Sequence, residues 1–169
     1  MTIVALWGLG IAALAPVLSP SRRLPHWVAP LAGLLGLAVG ALAATATTPV
    51  TGVALAATLV LTVTAAATGG APLVLAAFRF ARRQPDAGSP PAPGPLRGGR
   101  VIGLLERTAV AVAVLAGWPE GIAVVLAVKG LARYPELREP HASEQFIIGT
   151  FTSVLWALAV CGVGRALIT

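Results

Sequence analysis

Residues 50–83 read VTGVALAATLVLTVTAAATGGAPLVLAAFRFARR, with no charged side chain before Arg79. Crossing roughly 30 Å of hydrocarbon takes about 20 apolar residues, and this run exceeds that length. A helix over residues 50–80 is roughly 45 Å long at about 1.5 Å per residue, so it must tilt or bend. Gly69, Gly70 and Pro72 lie inside it and mark a kink or break. One bent helix is the preferred reading. The alternative lays residues 73–83 along the membrane surface.

The rest of the chain has the same character. Of 169 residues, 57% are hydrophobic and 11% charged, and the mean hydropathy is +0.87. One soluble core of this size does not hide that much apolar surface. The formal charge of +6 would suggest nucleic acid in a soluble protein. Here the basic residues sit between apolar runs rather than on one folded face, so nucleic-acid binding is not expected. Positive loops of this kind are retained in the cytoplasm and attract anionic headgroups.

Outward from the opening stretch, further spans are predicted over residues 3–18, 27–45, 100–118, 120–134 and 144–167. The first has no basic residue before it, while Arg22 and Arg23 follow. That order predicts a retained helix with its N-terminus outside, not a cleaved signal. Residues 84–99 read QPDAGSPPAPGPLRGG, too rich in Pro and Gly for a helix and too polar to bury, and predict a cytoplasmic tether. The fold class expected is an all-α polytopic transmembrane bundle of about six helices. A three-helix half at 1–83 and a three-helix half at 100–169 flank the linker. Both termini fall outside the cytoplasmic (inner) membrane, and of the Lys and Arg residues only Arg165 lies on the outer side. Two halves of three spans run in opposite senses, as in inverted-repeat transporters, although no residue-level similarity links them.

Charge inside a membrane costs several kcal/mol unless paired or hydrated, which makes its position informative. Glu106 and Arg107 lie about two turns into the fourth span, Lys129 and Arg133 in the last turns of the fifth. Glu144 opens the sixth, with Thr150 and Ser153 a turn or two deeper. All fall within roughly 10–15 Å of the cytoplasmic boundary by helical rise. Gly99 and Gly103 are four apart on the Glu106 face, and Gly149 and Ser153 repeat that spacing, as close helix packing requires. These residues predict a pocket with Glu106 opposite Lys129 and with Arg133 and Glu144 near its mouth. The preferred account is structural: Glu106 and Lys129 neutralise each other and fix register, while Arg107 and Arg133 reach outward to headgroups. The functional account is a cytoplasm-facing polar cavity for an anion, a proton or a small polar substrate.

Catalysis has little to stand on, because no His or Cys lies beside a base and no metal-ligand spacing occurs. Cys161, the single cysteine, excludes an internal disulfide and reads as a small buried thiol. His26 and His141 are predicted in loops without a second ligand, and no cofactor is expected. The threonine-rich stretch from Thr45 to Thr68 reads as helix packing, its hydroxyls bonding their own helix or a neighbour.

The segments GRVIGLLER (99–107), AVKGLARYPEL (127–137) and SEQFIIGTFTS (143–153) resemble the C-terminal half of a bacterial polytopic membrane-protein family of unknown function. The resemblance covers roughly 70 residues. It implies that Gly99, Arg100, Gly103, Glu106, Arg107, Lys129, Arg133, Glu144, Gly149, Thr150 and Ser153 match family positions. Gly130 stands where Ser is usual and Gln145 where an aromatic is usual, and the residues before the linker lack the family's usual N-terminal half.

The function expected is that of a non-enzymatic membrane component or accessory subunit. Its partners would be anionic lipid and either a second copy of itself or another membrane protein. The alternative is a small transporter or channel using the Glu106 and Lys129 region.

Overall fold

Alanine and leucine dominate the runs between prolines, and both are strong helix formers. The computed structural model describes residues 1–19, 24–83 and 99–169, and among these every regular element is helical. Six α-helices follow in order: α1 Thr2–Leu14, α2 Val28–Ala44, α3 Gly52–Ala81, α4 Gly99–Leu115, α5 Glu120–Ala132 and α6 Pro140–Ile168. A 3₁₀ turn, Ala15–Leu18, extends α1, and a second, Glu136–Arg138, precedes α6. Arg22, Arg23 and residues 84–98 of the predicted tether lie outside the described residues.

Local chemistry sets most helix ends. Pro16 lacks an N–H and begins the tighter turn after α1. Gly117 takes φ +74°, and the bonds Trp118 N–H to Ala113 O and Gly117 N–H to Val114 O close α4 in a Schellman motif. Pro140 opens α6 where its missing N–H costs nothing. The helix therefore starts four residues before the predicted Glu144, and His141 stands in its first turn rather than in a loop. α3 runs unbroken for 30 residues with Pro72 inside it, so residues 73–81 continue the helix.

α3 and α6 form the centre and run antiparallel, since the Phe78 ring faces Gly149 and Thr62 faces Gly164. The α1–α2 hairpin packs on one side, and α4 packs against both central helices. α5 rests chiefly on α4 and buries only Gly121. One end of the bundle gathers the C-termini of α3 and α5 with the N-termini of α4 and α6. That end carries Arg79, Arg82, Arg83, Arg100, Arg133 and Arg138, while Arg165 lies at the other.

Small residues fill the interior. Ala5, Ala12, Ala65, Ala66, Ala111 and Ala157 are fully buried, whereas Trp7, Leu42, Phe80 and Leu131 are each about 70% exposed. α1 and α2 approach so closely that a Cβ on Gly8 would lie 2.5 Å from the Gly36 carbonyl oxygen. Two helices, α3 and α6, are long and apolar enough to cross a membrane, and α1 with its 3₁₀ turn and α2 are apolar but shorter.

Gly8→Val should lower unfolding stability by about 1–3 kcal/mol through backbone overlap. Gly10→Ala, at a position with nothing within 4 Å of an added Cβ, should leave stability unchanged or raise it by up to about 1 kcal/mol. Denaturant midpoints followed by circular dichroism check both.

Candidate polar site between α4, α5 and α6

Adjacent residues on a helix point about 100° apart, so Glu106 and Arg107 serve different neighbours. Glu106 turns to α5, where Lys129 Nζ donates to its Oε2 at 2.5 Å. Both side chains are mostly buried, and the Lys129 ammonium also lies 5.5 Å from the centre of the Phe146 ring on α6. A cation over an aromatic face is attracted by the ring quadrupole. Lys129 thereby ties α5 to both α4 and α6.

Arg107 turns inward instead. The expected outward reach toward headgroups does not occur: the residue is 5% exposed and lies among α3, α4 and α6. Its Nε donates to the Ala67 carbonyl oxygen at 2.7 Å, and Nη1 donates to Ser153 Oγ at 3.3 Å. An isolated charge in such surroundings is costly, and hydrogen bonds to carbonyl and hydroxyl oxygens offset part of that cost. The route inward exists because α3 carries a glycine there. A Cβ on Gly70 would lie 2.8 Å from Arg107 Cδ and 2.9 Å from the Trp156 ring.

Thr150 and Ser153 stand three apart on one buried face of α6. Ser153 accepts from Arg107, whereas Thr150 Oγ1 has no hydrogen-bond partner. The two hydroxyls, Glu106 and Arg107 line a small cavity closed by Val110, Val125, Leu126 and Val154, with room for about one water. Arg133 and Glu144 do not line it; Arg133 caps α5, and Glu144 is exposed on α6.

The three predicted packing glycines differ in their surroundings. Among the described residues, Gly99 has nothing within 4 Å of an added Cβ. Gly103 leaves space for the Arg107 guanidinium, a Cβ there lying 3.2 Å from Nη1, and Gly149 leaves space for the Phe78 ring. Among the described residues, no three His, Cys, Asp or Glu side chains group as metal ligands.

Trp156 belongs to the same junction and was not singled out by the sequence reading. Its Nε1 donates to the Ala65 carbonyl oxygen at 3.0 Å, two residues before the Ala67 carbonyl that Arg107 meets. The available signal was an indole within an apolar helix, since a buried Trp N–H requires an acceptor. Gly69 and Gly70 read as kink residues, yet they clear space for Trp156 and Arg107. Other helix carbonyls are met similarly. Thr68 Oγ1 lies 2.8 Å from the Ala13 oxygen, whose tight-turn partner Pro16 has no N–H, and Arg165 Nη1 donates to Val114 O at 3.1 Å.

No protein-family model, no curated protein and no solved structure matches this chain.

Arg107→Lys keeps the charge but loses the planar fork that reaches Ala67 and Ser153 together. It should destabilise the protein by about 2–3 kcal/mol. Trp156→Phe, which removes one neutral hydrogen bond and keeps the ring, should cost about 1 kcal/mol. Unfolding midpoints of the purified variants rank the two.

Proposed function

We propose that this chain is a polytopic integral membrane protein of the cytoplasmic membrane, acting as a non-enzymatic scaffold or accessory component. The observation that carries the reading is the distribution of side chains by size. Alanine makes up most of the buried apolar residues, with few large ones such as Leu9, Trp156 and Leu167 among them, while Trp7, Leu42, Val53, Phe80 and Leu131 are outside. In water this arrangement would expose a continuous apolar surface far larger than a soluble monomer tolerates. In lipid it is favourable, because helix association there rests on close backbone approach and interhelical hydrogen bonds.

Charge supports an orientation. The basic end formed by Arg79, Arg82, Arg83, Arg100, Arg133 and Arg138 faces the cytoplasm under the positive-inside rule and offers contacts to anionic headgroups. Exposed Trp118 and Tyr134 flank the short α5, a placement suited to the two interfaces. The polar groups favour a structural part over a conduit. Glu106 is committed to Lys129, Arg107 to Ala67 and Ser153, and the cavity between them is water-sized.

Membrane integration is tested by alkaline carbonate extraction, which should leave the chain in the pellet; release into the supernatant would overturn the reading. For orientation, two single-cysteine chains are made in a Cys161→Ala background. Ala46→Cys should react with an impermeant maleimide in intact cells, and His141→Cys only after permeabilisation. The reverse pattern would invert the topology.

For the Glu106–Lys129 pair, each single alanine variant should be destabilised and the double variant should recover part of the loss, a coupling of about 0.5–3 kcal/mol. Singles that fold normally but abolish solute flux in proteoliposomes would favour the transporter reading instead.

A further inference from the structure

α5 is held differently at its two ends. Where it follows α4, Gly117 turns the chain at φ +74°. Gly121 then fits against the Trp118 ring, where an added Cβ would lie 2.8 Å from the ring and 3.1 Å from Ala113 Cβ. Ile122 and Val125 pack on the apolar core beside it. The C-terminal half, at the basic end of the bundle, has no such seat. Ala127, Val128, Leu131 and Ala132 are exposed, and among the described residues Gly130 has nothing within 4 Å of an added Cβ. Its inward contacts are made by Leu126, on the cavity wall, and by Lys129, which meets Glu106 on α4 and the Phe146 ring on α6.

Behind this loosely seated half lie the Glu106 carboxylate, the Arg107 guanidinium and the hydroxyls of Thr150 and Ser153, around a cavity with room for about one water. Each of these groups is better solvated in water than enclosed by valine and leucine. Hydration of the cavity wall therefore opposes the docking of α5, and the Lys129 contacts favour it. An element with few buried apolar contacts is the kind that opens locally while the rest of a fold stays closed. A mostly buried ion pair makes such an opening conditional, because losing one partner leaves the other charge enclosed and uncompensated. Residues 133–139, between α5 and α6, are the connection that takes up the movement.

We infer that α5 is a hinged lid, anchored through Gly121, Ile122 and Val125 and latched by Lys129 on Glu106, whose release opens the polar wall of α4 and α6 to water from the basic end. This goes beyond the scaffold reading, which asks only that α5 stay docked. The hinge lies where the packing is tight and the latch where it is sparse, so breaking one ion pair moves half a helix and leaves the α3–α6 centre intact.

The probe is a charged, water-soluble methanethiosulfonate applied to the purified full chain in detergent. Thr150→Cys in the Cys161→Ala background should react slowly, and adding Lys129→Met should speed the reaction about tenfold. Replacing Glu106 as well, by Glu106→Gln, removes the enclosed charge and should bring the rate back toward its starting value. The native Cys161, fully buried farther along α6, reports global opening. In a chain carrying Lys129→Met alone, its rate should not change. Amide exchange gives a second reading that needs no added cysteine: in the same Lys129→Met chain, residues 126–132 should lose protection while 120–122 and α3 keep theirs. A Thr150→Cys rate indifferent to Lys129→Met would overturn the latch and leave α5 held by packing alone. Parallel acceleration at Cys161, or equal loss of protection in α3, would overturn the lid by showing that the whole bundle opens. Neither result bears on membrane integration, which extraction and labelling test separately.

Discussion

The guanidinium of Arg107 sits where α3, α4 and α6 meet, and the three helices are arranged around its need for oxygen. A positive charge enclosed by apolar side chains is tolerated only where fixed dipoles replace water. The Ala67 carbonyl supplies one dipole and the Ser153 hydroxyl another. For the stem to reach them, α3 must be without a side chain at Gly70, and Gly69 with Gly70 also admits the Trp156 ring. One buried charge therefore dictates the spacing of two helices and the residue types on a third.

The same economy of space holds away from the charge. The α1–α2 hairpin, the crossing of α3 and α6 at Thr62 and Gly164, and the seat of Phe78 on Gly149 all depend on small residues. Under the proposed membrane reading, large apolar side chains gain nothing by leaving lipid for the interior, which favours residues that bring backbones close. Helix carbonyls exposed by that approach then become acceptors. Trp156, Thr68, Arg107 and Arg165 each reach a carbonyl on a neighbouring helix, and every such bond fixes a rotation as well as a distance.

α5 is the exception. It buries a single residue and relies on the Glu106–Lys129 pair, the Phe146 ring and the walls of the small cavity for its attachment. Attachment through polar contacts is weaker and more directional than attachment through packing.

Helical class, the apolar character of the chain and the gathering of charge in the second half were legible from composition, run length and the order of charges. These depend on local sums over the sequence. The grouping of Glu106, Arg107, Lys129, Thr150 and Ser153 was legible too, because helical rise sets depth. What depth does not set is rotation. Whether Arg107 points to headgroups or to Ala67 is decided by the Gly70 gap on a helix forty residues away in sequence. Likewise Gly99, four residues from Gly103, meets nothing within 4 Å of an added Cβ among the described residues, while Gly8 and Gly36 meet backbone to backbone. The sequence by itself determined which residues lie in helices and at what level along them. Only the tertiary structure decided which faces meet, since close packing between helices is a property of matched surfaces and not of either strand of residues alone.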